Sequence, residues 1–275
     1  NVVTAAPTSG ATVTVDNTSP AMIITAADVS TGSTTNDATL ALTFITNEGT
    51  SNFVVDDITV TNGTLSSFDS SDNETYTATF TPSGDGATTI DVAAGAYTDT
   101  AGNNNTAASQ FTWTYDGTGP TMTIASTTSG VTDGSTTNDA SIALTFTSSE
   151  VTTNFVVTDI TVTNGALSSF TGSGKSYTAT FTATADGATT IDVIAGKFTD
   201  AYGNQNDVSN TYNWIQDDTS PTGAITYSAA SPYKQGATAT VTATFTEDLT
   251  TTPKIAISGV SSVAATNMTS TGSAN

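Results

Sequence analysis

The 275-residue chain contains no cysteine and no histidine. Disulfides are therefore impossible, and zinc, iron–sulfur and copper sites lose their usual ligands. A Ser-His-Asp triad, a cysteine nucleophile and imidazole acid–base chemistry are excluded with them. Cations are nearly as scarce: Lys and Arg number 4 against 25 Asp and Glu, a formal net charge of −21. Nucleic acid and anionic membrane surfaces are excluded as partners, because binding them rests on Lys and Arg neutralising phosphates. The acidic excess favours solubility but strains the compact state, a strain that salt or bound cations relieve. No apolar run approaches the ~20 residues needed to cross a bilayer, so no membrane insertion is expected. No secretory leader pattern is visible. The chain opens on Asn1 instead of Met, which we read as processing or as excision from a longer chain.

What the sequence does have is a repeat. The stretch from Thr35 to Phe68, TNDATLALTFITNEGTSNFVVDDITVTNGTLSSF, returns from Thr137 to Phe170 as TNDASIALTFTSSEVTTNFVVTDITVTNGALSSF. The offset is 102 there, 101 between Tyr76 and Tyr177, and 100 between Pro20 and Pro120. A period near 100 residues is too long for a solenoid unit and suits an independent domain. We therefore expect repeat 1 over 17–116 and repeat 2 over 117–217. Residues 1–16 end in ATVTVD, similar to QFTWTYD and TYNWIQD at the ends of the repeats. They are read as the closing strand of a preceding or partner domain, and 218–275 as a partial third domain of a different repeat class.

Within each repeat, apolar residues alternate with small polar ones. Leu40, Leu42 and Phe44 do so, as do Tyr76, Ala78 and Phe80, and Phe111, Trp113 and Tyr115. The second copy offers Ile142, Leu144 and Phe146, then Tyr177, Ala179 and Phe181, then Tyr212 and Trp214. Period two puts one face in a core and the other in water. Threonine, β-branched and polar, suits the wet face. Turn signals such as Asn62-Gly63 and Gly84-Asp85-Gly86 separate the runs. About seven short strands per ~100 residues read as an immunoglobulin-like β-sandwich. The predicted fold class is all-β, tandem immunoglobulin-like sandwiches in an elongated array. Trp113 and Trp214 are expected in the cores.

The segments TVTNGTLSSF, YTATFTP and GATTIDVAAGAYTDTAGNNN, with TVTNGALSSF, YTATFTA and GATTIDVIAGKFTDAYGNQN, resemble bacterial immunoglobulin-like repeats. The resemblance covers roughly residues 20–217. Such repeats occur in large secreted adhesins and surface proteins, many with RTX-type export, where they act as stalk spacers. The resemblance thus implies an extracellular, cell-surface setting. The segment SPYKQGATATVTATFTEDLTTTPKIAISG resembles a related but different repeat class.

The acids carry the candidate site. Each linker begins with Asp and ends in Pro: 16–20, 116–120 and 217–221. The plain reading is a surface turn opened by Asp. In an immunoglobulin-like sandwich, however, the incoming linker, the B–C loop and the F–G loop share one pole. That places Asp16, Glu48, Asp56, Asp57, Asp99 and Asn103 near one another, and Asp116, Glu150, Asp159, Asp200 and Asn204 near one another in the second copy. Asp217 opens the third junction. Converging carboxylates repel at low effective dielectric, and a hard cation such as Ca2+ takes six to eight oxygen ligands. Structural calcium at domain junctions is also what the resemblance implies. The other reading is a solvated acidic rim.

The expected function is a non-enzymatic stalk segment of an extracellular bacterial adhesin or surface filament. Its partners would be neighbouring domains or copies of itself, with cell-surface or glycan targets met through other domains. A second reading is a filament subunit whose open C-terminal domain is completed by a neighbour's Gly10–Asp16 strand. A third is a carbohydrate-binding module, which requires exposed aromatics. Asn-X-Thr/Ser matches at Asn17, Asn62, Asn73 and Asn267 are expected by chance in so Thr-rich a chain. The T-x-T strings read as ordinary wet strand faces. The lysines at 175, 197, 234 and 254 do not recur between repeats as a crosslink would require.

Overall fold

The computed structural model describes residues 14–50, 52–228, 236–258 and 263–269. The expected strand Gly10–Asp16 thus lies mostly outside the described residues. What is described is all-β, apart from two single turns of 3-10 helix at Val55–Asp57 and Val157–Asp159. No described helix is long and apolar enough to cross a membrane.

The first unit holds eight strands: β1 Met22–Ala26, β2 Thr34–Thr35, β3 Leu40–Thr46, β4 Ile58–Thr61, β5 Gly63–Ser70, β6 Thr75–Pro82, β7 Gly86–Val92 and β8 Phe111–Tyr115. One sheet has the order β1-β3-β6-β5 and the other β2-β8-β7-β4. Every pairing is antiparallel except β2 with β8. Alternation then decides what faces inward. Leu40, Leu42, Phe44, Tyr76, Ala78 and Phe80 come from the first sheet, and Ile58, Ile90, Val92, Phe111 and Trp113 from the second. Phe44 and Phe80 are fully buried. Fully burying one large apolar side chain stabilises by roughly 1.5–3 kcal/mol, so with no disulfide these few rings are the main cohesive element.

The second unit repeats this plan with β9 Met122–Ser126, β10 Ser135–Thr137, β11 Ile142–Thr152, β12 Thr161–Val162, β13 Gly165–Ala183, β14 Gly187–Asp192 and β15 Tyr212–Gln216. Its core is built from Phe146, Phe181, Trp214 and their neighbours. The changes in offset have local causes. Two extra residues precede Val131, the counterpart of Val29, and one residue is missing between Phe170 and Tyr177 relative to Phe68 and Tyr76. In unit 1 that stretch is a turn with Asn73 in the left-handed region, at φ 62°. In unit 2 the shorter stretch runs on as the single long strand β13.

Beyond the third linker come β16 Gly223–Tyr227, β17 Val241–Phe245, β18 Lys254–Ile257 and β19 Val263–Asn267. They form two antiparallel ribbons, β16-β17 and β18-β19. A groove between them is lined by Ile225, Val241, Phe245, Ile255 and Met268. Val241 and Phe245 are only half-buried here, whereas Phe44 and Phe146 in the complete units are fully buried.

Candidate metal centre at the unit junctions

Each complete unit is entered through a tightly held linker. Pro20 and Pro120 are buried, and their carbonyls accept the N–H of Thr106 (2.9 Å) and Asp207 (3.0 Å). Proline fixes φ and has no N–H to donate, so at this residue only the carbonyl can tie the entering chain to the loop that follows β7 or β14. That loop folds back on itself around one aspartate. Asp99 Oδ1 accepts the N–H groups of Gly102 (2.7 Å) and Asn103 (2.8 Å), and its Oδ2 accepts the Asn103 amide (2.8 Å). Gly102 sits at φ 96°, which lets the turn close without strain. Asp200 is held likewise, by the N–H groups of Tyr202, Gly203 and Asn204 and by the Asn204 amide. Both aspartates are 5% exposed.

Around each buried aspartate the fold gathers two more carboxylates. Glu48, from the loop after β3, and Asp16, from the linker, meet Asp99 with one oxygen of each group within 4.8 Å of the others. Asp116, Glu150 and Asp200 do the same at the next junction. The electrostatic cost shows on the glutamates. Partial burial, then repulsion from Asp16 and Asp99, raises the Glu48 carboxyl above its ordinary 4.5. Glu150 is raised by burial, then by Asp116 and Asp200, with Lys175 opposing and Asp85 adding to the repulsion. Burial also pulls on Asp99, but hydrogen bonds from the Asn103 side chain and from three loop N–H groups outweigh it and hold that carboxyl below 3.8.

This donor set fits a hard cation. Two oxygens ligating one Ca2+ from opposite sides stand about 4.6–5.2 Å apart, and all ligands are oxygen. Asp16, Glu48 and Asp99 would hold the ion at one junction, and Asp116, Glu150 and Asp200 at the other.

The structure departs from the sequence reading at several positions. Asp57 and Asp159 do not join the clusters. Each folds onto its own 3-10 turn and accepts the N–H of Val54 or Val156 at 2.9 Å. Asp56 is exposed on the same turn and is not in the cluster. Asn103 and Asn204 brace the site from outside, because their amides donate to the linker carbonyls of Asp16 (3.2 Å) and Asp116 (2.9 Å). The Asn204 oxygen is taken by the Asn36 amide. Asp217 opens the third junction with its N–H on the Thr137 carbonyl. Among the described residues it joins no carboxylate trio. Trp113 and Trp214, 2% and 1% exposed, are core residues and offer no sugar-stacking platform.

Sequence reasoning missed several residues that shape the junctions. Asn52 and Asn154 tie the loop after β3 or β11 to the N–H groups of Thr98 and Thr199. Buried Asn105 and Asn206 accept the N–H groups of Tyr97 and Phe198 and hold the loop that follows them. Their recurrence at the local repeat offset, 102 from Asn52 to Asn154 and 101 from Asn105 to Asn206, was the available signal.

A family model described as bacterial Ig-like domain matches residues 16–115 and again 116–215. A search of curated proteins finds no match. Among solved structures, the chain is similar to the Escherichia coli adhesin FdeC at 12% identity, covering 88% of this chain and 78% of that one, with a TM-score of 0.36. It is similar to Yersinia pseudotuberculosis InvD at 16% identity, over 78% of this chain and 64% of that one, with a TM-score of 0.32. Invasin, described as a bacterial integrin-binding protein, is 16% identical over 76% of this chain and 42% of its own, with a TM-score of 0.38. The chain thus spans less than two thirds of InvD and less than half of invasin.

Proposed function

The chain belongs to the bacterial Ig-like domain family, and from that premise we propose that it is a non-enzymatic stalk segment of an extracellular bacterial adhesin or surface filament whose junctions are stiffened by calcium. The observation that carries this reading is the recurrence of one trio. A linker Asp, a Glu from the loop after β3 or the end of β11, and the buried Asp after β7 or β14 converge at the junctions entering units 1 and 2. A cation shared by the linker and two loops of the following unit would fix the direction in which that unit leaves its neighbour. It would also offset the repulsion that raises Glu48 and Glu150. With no His and no Cys, the residues that most often do acid–base and nucleophilic work are missing. A role through length and surface suits such a chain.

The test is calorimetric titration with Ca2+, paired with small-angle scattering in calcium and in chelator. Binding with affinity on the order of 10⁻⁴–10⁻³ M, as in extracellular modules, and a narrower range of shapes with calcium are the expected results. Asp200→Asn should abolish one site and Asp99→Asn the other. Identical melting and scattering in calcium and chelator would overturn the calcium reading.

Completion of the third unit by a neighbour's Gly10–Asp16 strand finds less support. By pattern that segment matches β8 and β15. In the third unit β16-β17 repeats the pairing of β1 with β3, but β18 pairs with β19 whereas β4 and β5 lie in different sheets, so the described ribbons do not define the place a donated β8-like strand would take.

A further inference from the structure

The linkers at 116–120 and 217–221 are each gripped from behind, by a carboxylate outside the trios. The turn between β6 and β7 carries Asp85, and β7 begins beside the end of β8, with Gly86 opposite Tyr115. Asp85 therefore stands next to the point where the chain leaves unit 1. Its Oδ1 accepts the Gly117 N–H at 2.7 Å, and its Oδ2 accepts the Thr118 hydroxyl. The arrangement recurs one unit later. Asp186 Oδ1 accepts the Asp218 N–H at 2.6 Å, and its Oδ2 accepts the Thr219 hydroxyl. In each case one carboxylate spends both oxygens on two consecutive linker residues.

The rest of the first of these linkers is anchored as well. The Asp116 N–H extends the β2–β8 ladder to the Thr35 carbonyl at 3.0 Å, and the Pro120 carbonyl takes the Asp207 N–H from unit 2. The linker is thus bound to unit 1 at 116, 117 and 118, and to unit 2 at 116 and 120. Were it free, five residues would give an end-to-end spread of about 12 Å. Charge-assisted hydrogen bonds to a carboxylate are the stronger kind. The hydroxyl and N–H also hold the Asp85 carboxyl below its ordinary range, as they do that of Asp186.

We propose that Asp85 and Asp186 are metal-independent linker clamps: each locks the chain leaving its unit, so that a junction keeps its direction in the absence of any cation. The clamp belongs to the unit before the linker, whereas the carboxylate trio belongs mainly to the unit after it. At the 116–120 linker the two devices therefore hold adjacent residues, the clamp 117 and 118 and the trio 116, and tie them to the units on either side. The clamp goes beyond the calcium reading and does not depend on it.

The test uses the absence of cysteine. Ser66→Cys and Ser168→Cys, on exposed strand positions of units 1 and 2, take spin labels, and the inter-label distance distribution is measured in chelator and in millimolar calcium. With Asp85 intact, the distribution in chelator should remain a single narrow peak. Asp85→Ala should broaden it roughly twofold or more, towards the spread of a free linker. Thr118→Val, which removes only the hydroxyl, should broaden it less. Unchanged melting of both variants would place the effect in the linker and not in the folded units. If Asp85→Ala in chelator gives the same distribution as the parent, the clamp is overturned. If the parent is already broad in chelator, the clamp is overturned too, and calcium alone sets the junction. The calcium reading fails by a different result, a parent distribution and melting that ignore calcium altogether, as Asp200→Asn would confirm by changing nothing.

Discussion

Asn36 of the first unit donates its side-chain amide to the Asn204 oxygen of the second at 3.1 Å. This is a direct hydrogen bond between units, and Asn204 relays it. The same Asn204 side chain donates to the Asp116 carbonyl and to Asp200, while its N–H caps Asp200. One amide thus links unit 1, the linker and the buried carboxylate of unit 2. Nearby, the backbone at Gly119 passes so close to the Gln205 carbonyl that a Cβ there would lie 1.9 Å from it.

These contacts separate orientation from stability. Asn36→Ala removes only the inter-unit bond, so unit melting should change by less than about 1 kcal/mol, the usual net worth of one neutral hydrogen bond. Asn204→Ala removes the amide donor to Oδ2 of buried Asp200 and should cost about 1.5–3 kcal/mol in the second unit alone. Residual dipolar couplings report orientation and denaturant melting reports stability. Equal losses of stability from both variants would contradict this division.

The cores make a simpler prediction. Phe53 touches Phe44, Phe68, Tyr76 and Tyr97, with ring centroids 4.9–6.1 Å apart. Phe80 packs edge-on to Trp113 at 4.8 Å. Truncating either to Ala should cost about 3–5 kcal/mol, read as a lower denaturant midpoint for the first unit with the second unchanged. A loss under 1 kcal/mol at either position would place that ring outside the core.

The comparison of these two rings shows what could be read beforehand. Phe80 lies in strict alternation with threonines, and such a pattern fixes the inward face of a strand. Phe53 lies in the loop between β3 and β4, in Asn-Phe-Val-Val, where no period points it inward. It is buried because the loop folds over the open end of the sandwich. The same divide runs through the acids. Asp16, Glu48 and Asp99 were legible because topology alone brings a linker and two loops to one pole. Asp57 was misplaced, because a carboxylate three residues after a free N–H makes a local bond before it can reach a distant one. Asp85 was invisible as a clamp, since its partners lie 32 and 33 residues away across a turn. Pattern reveals a residue's face, not which distant backbone group that face will meet.

Proton linkage gives a distinctive pH profile. Glu48 and Glu150 are raised in the fold, so their ionised forms cost stability at neutral pH when no cation is present. As pH falls through their raised values the folded state binds protons first, and stability increases until about their ordinary 4.5. Asp72, Asp85, Asp99 and Asp186 are lowered. They contribute stability above their ordinary 3.8 that is lost as pH falls further through their folded values. Melting in chelator should therefore peak in mildly acidic solution. Calcium, by holding the glutamates ionised, should remove the gain on acidification from neutral pH. A chelated protein whose stability falls monotonically from pH 7 would contradict the glutamate assignment.

The two junctions should not respond to calcium alike, because one residue between them changes sign. Aligned on Tyr76 and Tyr177, Glu74 of the first unit corresponds to Lys175 of the second. The Glu74 carboxylate approaches the loop that carries Glu48, with its Oε1 3.9 Å from a Cβ placed on Gly49. Lys175 instead donates to the Ser149 carbonyl at 2.6 Å and acts on Glu150 as an opposing charge. The second trio thus has a built-in ammonium whose effect on Glu150 exceeds that of the extra carboxylate Asp85, whereas the first has Glu74 near its loop and no such ammonium. A bound cation must compete with that ammonium at the second junction alone. A single exposed charge at this range changes binding by on the order of 1 kcal/mol, several-fold in affinity, and salt screens it. Calcium titration should therefore resolve a tighter first site and a weaker second one at low ionic strength, converging as salt rises. Lys175→Glu should tighten the second site and Glu74→Lys should weaken the first, each leaving the other junction unchanged. Two sites of equal affinity that neither substitution moves would show that the trios do not feel these charges.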